Sequence, residues 1–217
     1  MIETIIAGGS MMVFLLACSI VALAVILDRL KAYYDTGKVD NRALRADVLK
    51  LLQENQLQDA MTLCASTPSP ASAVLLTGLQ SYQKLLSVKA TPEALRTIIS
   101  KTMEDYYPHA LNAVEKRLNI LSTVGNAAPL FGMTGTVTGM ITSFSALAAS
   151  GMDAKIVGAG ISEALITTAA GLLIALFAVI PYNMFMARVE KIGLEMEEAA
   201  AEMVDFITMQ AERQAAR

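Results

Sequence analysis

Tryptophan is absent from this chain, histidine occurs once and cysteine twice. His109 alone cannot complete a Ser/His/Asp or Cys/His set, nor a His-rich metal site. Cys18 lies in an apolar run and Cys64 in a polar stretch, so the two do not meet and no structural disulfide is expected. A phosphate-binding loop is missing as well. The segment GMTGTVTG has glycines but no lysine, and no strand precedes it. A chain without an acid/base or metal set is not read as an enzyme, and no bound cofactor is expected. Strand-like alternation, a Gly/Ser-rich linker and low-complexity tracts are absent too. Charged residues make up only 17% of the chain and the net charge is −3, which argues against nucleic acid as a partner.

What is present is apolar and helical. Hydrophobic residues reach 54% and the mean hydropathy is +0.49, too apolar for an ordinary soluble core. The expected class is an all-α polytopic membrane protein with three transmembrane helices. The first runs through Thr4–Leu27, uncharged until Asp28 and Arg29. A signal peptide would need a basic start and a small-residue cleavage site; MIET supplies an acid, so a retained helix is the better reading. The run Leu118–Met152 carries no charge and at roughly 1.5 Å per residue exceeds a hydrocarbon core of about 30 Å. After the turn-like ASGMDAK, the run from Ile156 to Ala187 has a single charge, Glu163. Of 17 basic residues only Lys155 falls between the second and third spans. Arg29, Lys31, Lys116, Arg117, Arg188 and Lys191 all flank the other ends. The positive-inside rule then places the N-terminus outside, with the segment after Asp28 and the C-terminal tail in the cytoplasm. With so few aromatics, the interfacial belt rests on Tyr33, Tyr34, Tyr107 and Tyr182.

The domains so predicted are 1–31, the first span; 32–117, a cytoplasmic helical domain; 118–152, the second span; 153–187, the outer turn and third span; and 188–217, a C-terminal helix. Within 32–117, Leu44, Val48 and Leu51 share a face, as do Leu57, Met61 and Cys64, then Leu75, Leu79, Tyr82 and Leu86. STPSPAS is a break, and Thr91-Pro92-Glu93 starts a helix with an N-cap and Pro in the first turn. Leu95, Ile98, Met103 and Tyr106 lead through Ala110 and Val114 to Leu118, and this helix is expected to run into the membrane, bent at Pro108. In the tail, Val189, Ile192, Met196, Ala199, Met203 and Phe206 form a heptad-like seam. It either packs on the domain of the same chain or joins subunits in a ring.

On a helix, Gly125, Ala128, Gly132, Gly135, Thr136, Gly139 and Ser143 fall on one stripe, with Leu130, Met133, Val137, Met140, Ile141 and Phe144 opposite. Gly160, Ala164, Thr167, Gly171, Ala175 and Ala178 form a comparable stripe in the third span, Thr168 at its edge. Small residues let helices approach closely in lipid, where burial of large side chains brings no gain. A turn near Met152 also sets Thr136 and Thr168 at equal depth, roughly 24 Å from the turn at the helical rise. Level hydroxyls on faces stripped of bulk suit a hydrated or helix-filled passage. The stripe Gly132, Gly135, Gly139, Ser143, Ala164, Gly171 and Ala175 is therefore read as pore-facing, and the first span, bulky all round, as lying toward lipid.

APLFGMTGTVTGMITSF and ISEALITTAAGLLIALFAVIPYN carry a resemblance. Their P-x-x-G-x-x-G-T-V, E-A-L-x-x-T-A-x-G-L and P-Y-N runs, over about Leu118 to Arg188, resemble the paired signatures of the MotA/TolQ/ExbB family, in particular its shorter ExbB/TolQ branch. Four-span flagellar stators of the MotA branch are longer. The resemblance implies a multi-pass protein of the bacterial inner membrane. It further implies a pentamer around two copies of an ExbD/TolR-like single-span protein that carries an intramembrane Asp, with cation flow driving the partner's motion. The process powered is not implied. Glu163 matches the E-A-L position, which fits an acid that attracts cations at the outer entrance; an interfacial charge or a pair with Lys155 is the structural alternative. The ion pathway is thus assigned to Thr136, Thr168, Thr167 and Glu163. Thr167 beside Thr168 also resembles sodium-driven stators, since proton-driven ExbB/TolQ chains often have Ala there. The transported ion is H⁺ or Na⁺, with protons ahead. Against sodium stands the ordinary tendency of Thr167 to bond the carbonyl of Glu163 one turn back. A passive oligomeric scaffold, packed through the same small residues, is the reading from another class.

Overall fold

The computed structural model describes residues 9–37, 39–88, 90–150 and 154–215, with backbone alone at 35, 36, 149, 150, 154–156 and 215. Among these residues the regular elements are helices: α1 (Met11–Thr36), α2 (Asn41–Gln53), α3 (Leu57–Ser66), α4 (Pro70–Val88), α5 (Pro92–Glu115), α6 (Leu118–Ser150) and α7 (Ala154–Ala215). They divide into two units. The apolar unit holds residues up to Leu30 and Arg117–Met186, and the polar unit holds Lys31–Lys116 and Ala187–Arg217. Three helices are long and apolar enough to cross a membrane, within Met11–Tyr34, Leu118–Ala148 and Val157–Gln214.

In the apolar unit α1 starts after the Gly9–Ser10 turn and continues past Leu27; residues 4–8 of the expected span lie outside the described residues, as does Met152 of the expected turn. One face of α1 is buried through Met12, Leu15, Ala22, Val25 and Ile26, while Val13, Phe14, Ile20, Leu23 and Leu27 stay exposed. Met12 and Leu15 pack with Ala128 of α6 and Ala175 of α7, and Phe14 stacks on Phe131 with ring centroids 5.7 Å apart. The even spread of bulk around this helix gave no hint of that face.

The polar unit has a conventional core. Leu44, Val48 and Leu52 of α2, Ala60 and Cys64 of α3, Leu75 and Leu79 of α4, Leu95, Ile99 and Met103 of α5 and Met196, Met203 and Ile207 of α7 form one cluster. Helix starts follow local chemistry. Asp40 caps α2 by accepting from the backbone N–H of Arg42 and Ala43 at 2.9 and 3.2 Å, and Thr91 caps α5 by accepting from Ala94 at 3.3 Å. The chain between Ser66 and Pro70 is the break that the proline pair announces. Of the two readings of the tail seam, packing within one chain is what this unit shows: Met196, Ala199 and Met203 belong to the core. Arg45 of α2 reinforces it with ion pairs to Glu198 and Glu202 at 3.3 and 2.7 Å.

Two expectations need correction. In α5 the buried face uses Ile99, while Ile98 and Tyr106 are exposed, and in α4 Leu86 is exposed. Adjacent apolar residues leave the helical phase ambiguous, and the neighbouring helices choose between them. Nor does α5 run on unbroken. It is bent by neither Gly nor Pro at its end, yet it stops at Glu115, and Arg117 adopts φ 68°, which costs an L-residue about 1–2 kcal/mol. The Arg117 guanidinium there pairs with Asp28 at 3.0 Å, and Asp28 also holds Arg29 at 2.7 Å. A non-local ion pair of this kind leaves no trace in the residues around the break.

Candidate functional site

The hairpin of α6 and α7 is built from its small residues. A side chain on Gly132 would lie 3.0 Å from the Thr168 Cα; on Gly135, 2.6 Å from the Thr167 methyl; on Gly139, 3.0 Å from the Ala164 Cβ. On Gly171 it would meet the Ala128 carbonyl at 2.6 Å and the Gly132 Cα at 3.2 Å, and on Gly160 it would strike the Ser143 hydroxyl. These pairs run in a single register along the hairpin. Gly132, Gly135, Gly139, Ser143, Ala164, Gly171 and Ala175 are all buried in the single chain. The space they clear is filled by the backbone of the neighbouring helix, so within one chain the stripe faces helix rather than an open passage. Close approach is the physical reason, because backbones can touch only where side chains are small.

The hydroxyls sit on this seam. Thr168 Oγ1 donates to the Gly132 carbonyl at 2.9 Å and so crosses from α7 to α6. Thr167, 1% exposed, donates to the Glu163 carbonyl at 2.9 Å, the local bond that its sequence position allows. Thr136 is half-buried and donates to the Met133 carbonyl at 2.6 Å. Because Gly135 lies on Thr167, Thr136 and Thr167 are neighbours in depth, close to Thr168. The Thr136 and Thr168 hydroxyls have each used their proton on a carbonyl and keep lone pairs that can accept from water or a hydronium ion.

Glu163 is exposed, and its carboxylate lies against Gly9, whose φ is +66°. A Cβ at Gly9 would collide with Glu163 Oε1, so the lack of a side chain lets the chain cross this acid. The contact was not legible in the sequence, for a lone glycine before an apolar run carries no partner's name. The alternative pairing with Lys155 falls on a side chain outside the described residues. Among the described side chains of this unit, the remaining charges are Asp28, Arg29 and Arg117, at the other end of α1. From Met11 to Asp28 is about 26 Å at roughly 1.5 Å per residue, close to the thickness of a hydrocarbon core. Along this band the polar side chains are hydroxyls and amides, with no carboxylate among the described residues.

An uncharged band of this length, crossed by a hydroxyl-bearing hairpin with an acid at one end, has the make-up of a membrane-spanning element. The profile of the MotA/TolQ/ExbB proton channel family matches residues 66–198. The chain belongs to the MotA/TolQ/ExbB family. It is 31% identical over 183 residues to the putative biopolymer transport protein ExbB-like 3 of Synechocystis, a match that covers 82% of this chain and 81% of that protein. It is 30% identical over 213 residues to the Tol-Pal system protein TolQ of Haemophilus influenzae, covering 94% and 88%. The biopolymer transport protein ExbB of Pseudomonas putida is 25% identical over 174 residues, covering 80% and 53%. These relatives put the chain in the ExbB/TolQ-like branch, a channel and transport family of membrane proteins. The family match spans both units, from the end of α3 into the tail seam of α7.

Proposed function

We propose that this chain is the multi-pass subunit of an ion-motive-force-driven unit of the bacterial inner membrane. Five copies surround two copies of an ExbD/TolR-like single-span partner, and cation flow is coupled to motion of that partner. The polar unit lies in the cytoplasm, and the ion path runs past Thr136, Thr167 and Thr168 from an entrance marked by Glu163. The observation that carries this reading is the hydroxyl set at one depth of an otherwise carboxylate-free hairpin in a proton channel family member. Such hydroxyls can relay protons through water but cannot themselves carry charge, so the carrier is a partner's intramembrane Asp. The ion is H⁺ in preference to Na⁺. Thr167, buried and bonded to its own helix, makes a poor third ligand for a dehydrated cation.

The test is proton flux into vesicles that contain the chain together with the single-span protein from the neighbouring reading frame. Thr168→Val should lower flux at least tenfold and Thr168→Ser should restore it, while both variants assemble. Glu163→Gln should lower flux several-fold. Flux at fixed proton-motive force should be the same with and without Na⁺; strict Na⁺ dependence would reverse the choice of ion. The small-residue seam also favours a second reading, a passive scaffold. Absence of flux in every variant, with normal assembly, would select it.

A further inference from the structure

The polar unit carries an open cleft of about 230 Å³ formed by the end of α1, the start of α2 and the part of α7 around Arg188 and Lys191. We propose that this cleft binds the phosphate of an anionic phospholipid headgroup in the inner leaflet, through Arg42, Arg188 and Lys191. Two helices supply these three cations, and among the described residues none of them is held in an ion pair. The cleft's two carboxylates, Asp40 and Glu195, stand against these three cations and leave one positive charge in excess. Asp40 accepts from the backbone of Arg42 and Ala43, and Glu195 accepts from the Asn41 amide at 2.6 Å. What remains for a ligand is an excess of charge-assisted donors, the chemistry that a phosphate needs. Gly37 shapes the cleft: a Cβ there would lie 3.1 Å from Arg188 Nη2, so the bare backbone leaves room for the guanidinium.

The cleft's place along the chain selects a lipid over a soluble anion. Arg188 is the first charge after the uncharged run Ala164–Ala187, and Tyr33 lies in the last turn of the apolar stretch Met11–Tyr34. The Tyr33 hydroxyl donates to the Val114 carbonyl at 3.0 Å, which fixes the ring at one side of the cleft. Two spans therefore end at this cleft, at the level where headgroups sit and where basic pockets between spanning helices meet anionic lipid. The inference stands apart from ion coupling and survives if no ion is moved.

Native mass spectrometry of the detergent-solubilised full-length assembly tests it, with phosphatidylglycerol and phosphatidylcholine of identical acyl chains added in equal amounts. The wild type should retain phosphatidylglycerol about fivefold more than phosphatidylcholine. The combined Arg42→Ala, Arg188→Ala and Lys191→Ala variant should fall to parity, while Arg42→Lys with Arg188→Lys, which keeps the charge, should hold most of the preference. Arg96→Ala, away from the cleft, should leave it unchanged. Equal retention of both lipids by the wild type, or an undiminished preference in the triple alanine variant, overturns the proposal. Loss of the preference on adding millimolar inorganic phosphate overturns the lipid as the occupant and assigns the cleft to a soluble phosphate. The wild-type comparison and the phosphate arm decide even where the triple variant does not fold.

Discussion

The midsection of the α6–α7 hairpin and the polar unit bury opposite kinds of residue. Within 128–144 of α6 and 164–178 of α7 the buried positions include Gly132, Gly135, Ala164, Thr167 and Ala178, while Leu130, Val137, Phe144, Leu173 and Phe177 are exposed. In the polar unit Leu75, Leu79, Ile99, Met103, Met196 and Met203 are buried, and charges such as Glu198 and Lys101 face outward. The solvent accounts for the inversion. Water expels large apolar side chains, so the polar unit gathers them into a core. Lipid does not, and a helix pair gains only from contact and from interhelical hydrogen bonds, which favours the residues that let backbones touch. The Thr168 bond to the Gly132 carbonyl exists because that approach is so close.

The sharpest way to break the comparison is to put bulk on the seam. Gly171→Leu drives a side chain into the Ala128 carbonyl and the Gly132 backbone, which cannot yield, and should abolish the folded hairpin. Size-exclusion chromatography of the solubilised protein should show aggregate alone, whereas Leu172→Ala on the exposed face should leave the profile unchanged. Normal folding of Gly171→Leu would mean that the seam is not tight. The mirror experiment removes bulk from the polar core. Ile99, fully buried, should cost about 3 kcal/mol as Ile99→Ala, read by chemical denaturation of that unit's helical signal. A loss below about 1 kcal/mol would remove the contrast.

Glycine in the polar core sharpens the distinction further. A Cβ at Gly78 would meet the ends of Met203 and Met103, flexible thioethers that can shift. Gly78→Ala should therefore cost about 1 kcal/mol, with helix propensity offsetting part of the crowding, in the same denaturation assay. A cost as large as that of Ile99→Ala would show the methionines to be locked.

The smallest effect concerns Cys64, whose thiol is pushed up to about 11 by burial in the polar core. The folded state thus favours the neutral thiol. Its contribution is complete below the ordinary value of 9.0 and is lost as pH rises from there toward 11. Maleimide labelling at pH 8 should leave Cys64 unmodified until denaturant is added. Rapid labelling of the native protein would show that α3 opens readily.

Much of this was legible in consecutive residues. Charge-free runs marked α6 and the apolar part of α7, the proline pair marked the break before α4, and Thr91 with Pro92 marked the start of α5. Each is a local property, set by capping, by backbone restriction or by the absence of charge over the length of a helix. The small stripes were legible as stripes, and the three threonines as the hydroxyls upon them. What each stripe faced was a different matter. A face of glycine and alanine fits a helix backbone or a water column equally well, and only the neighbouring helix decides; here α7 fills the space that α6 clears. The same holds for Ile99 over Ile98, for the tail seam that packs on its own domain, for Arg117 paired with the distant Asp28, and for Gly9 crossing Glu163. Sequence alone determined that the chain is helical, where its membrane-length runs lie and which residues are small or hydroxylated, because those are properties of adjacent residues. Tertiary structure decided which faces meet, because a contact depends on the shape and register of a partner far away in the chain.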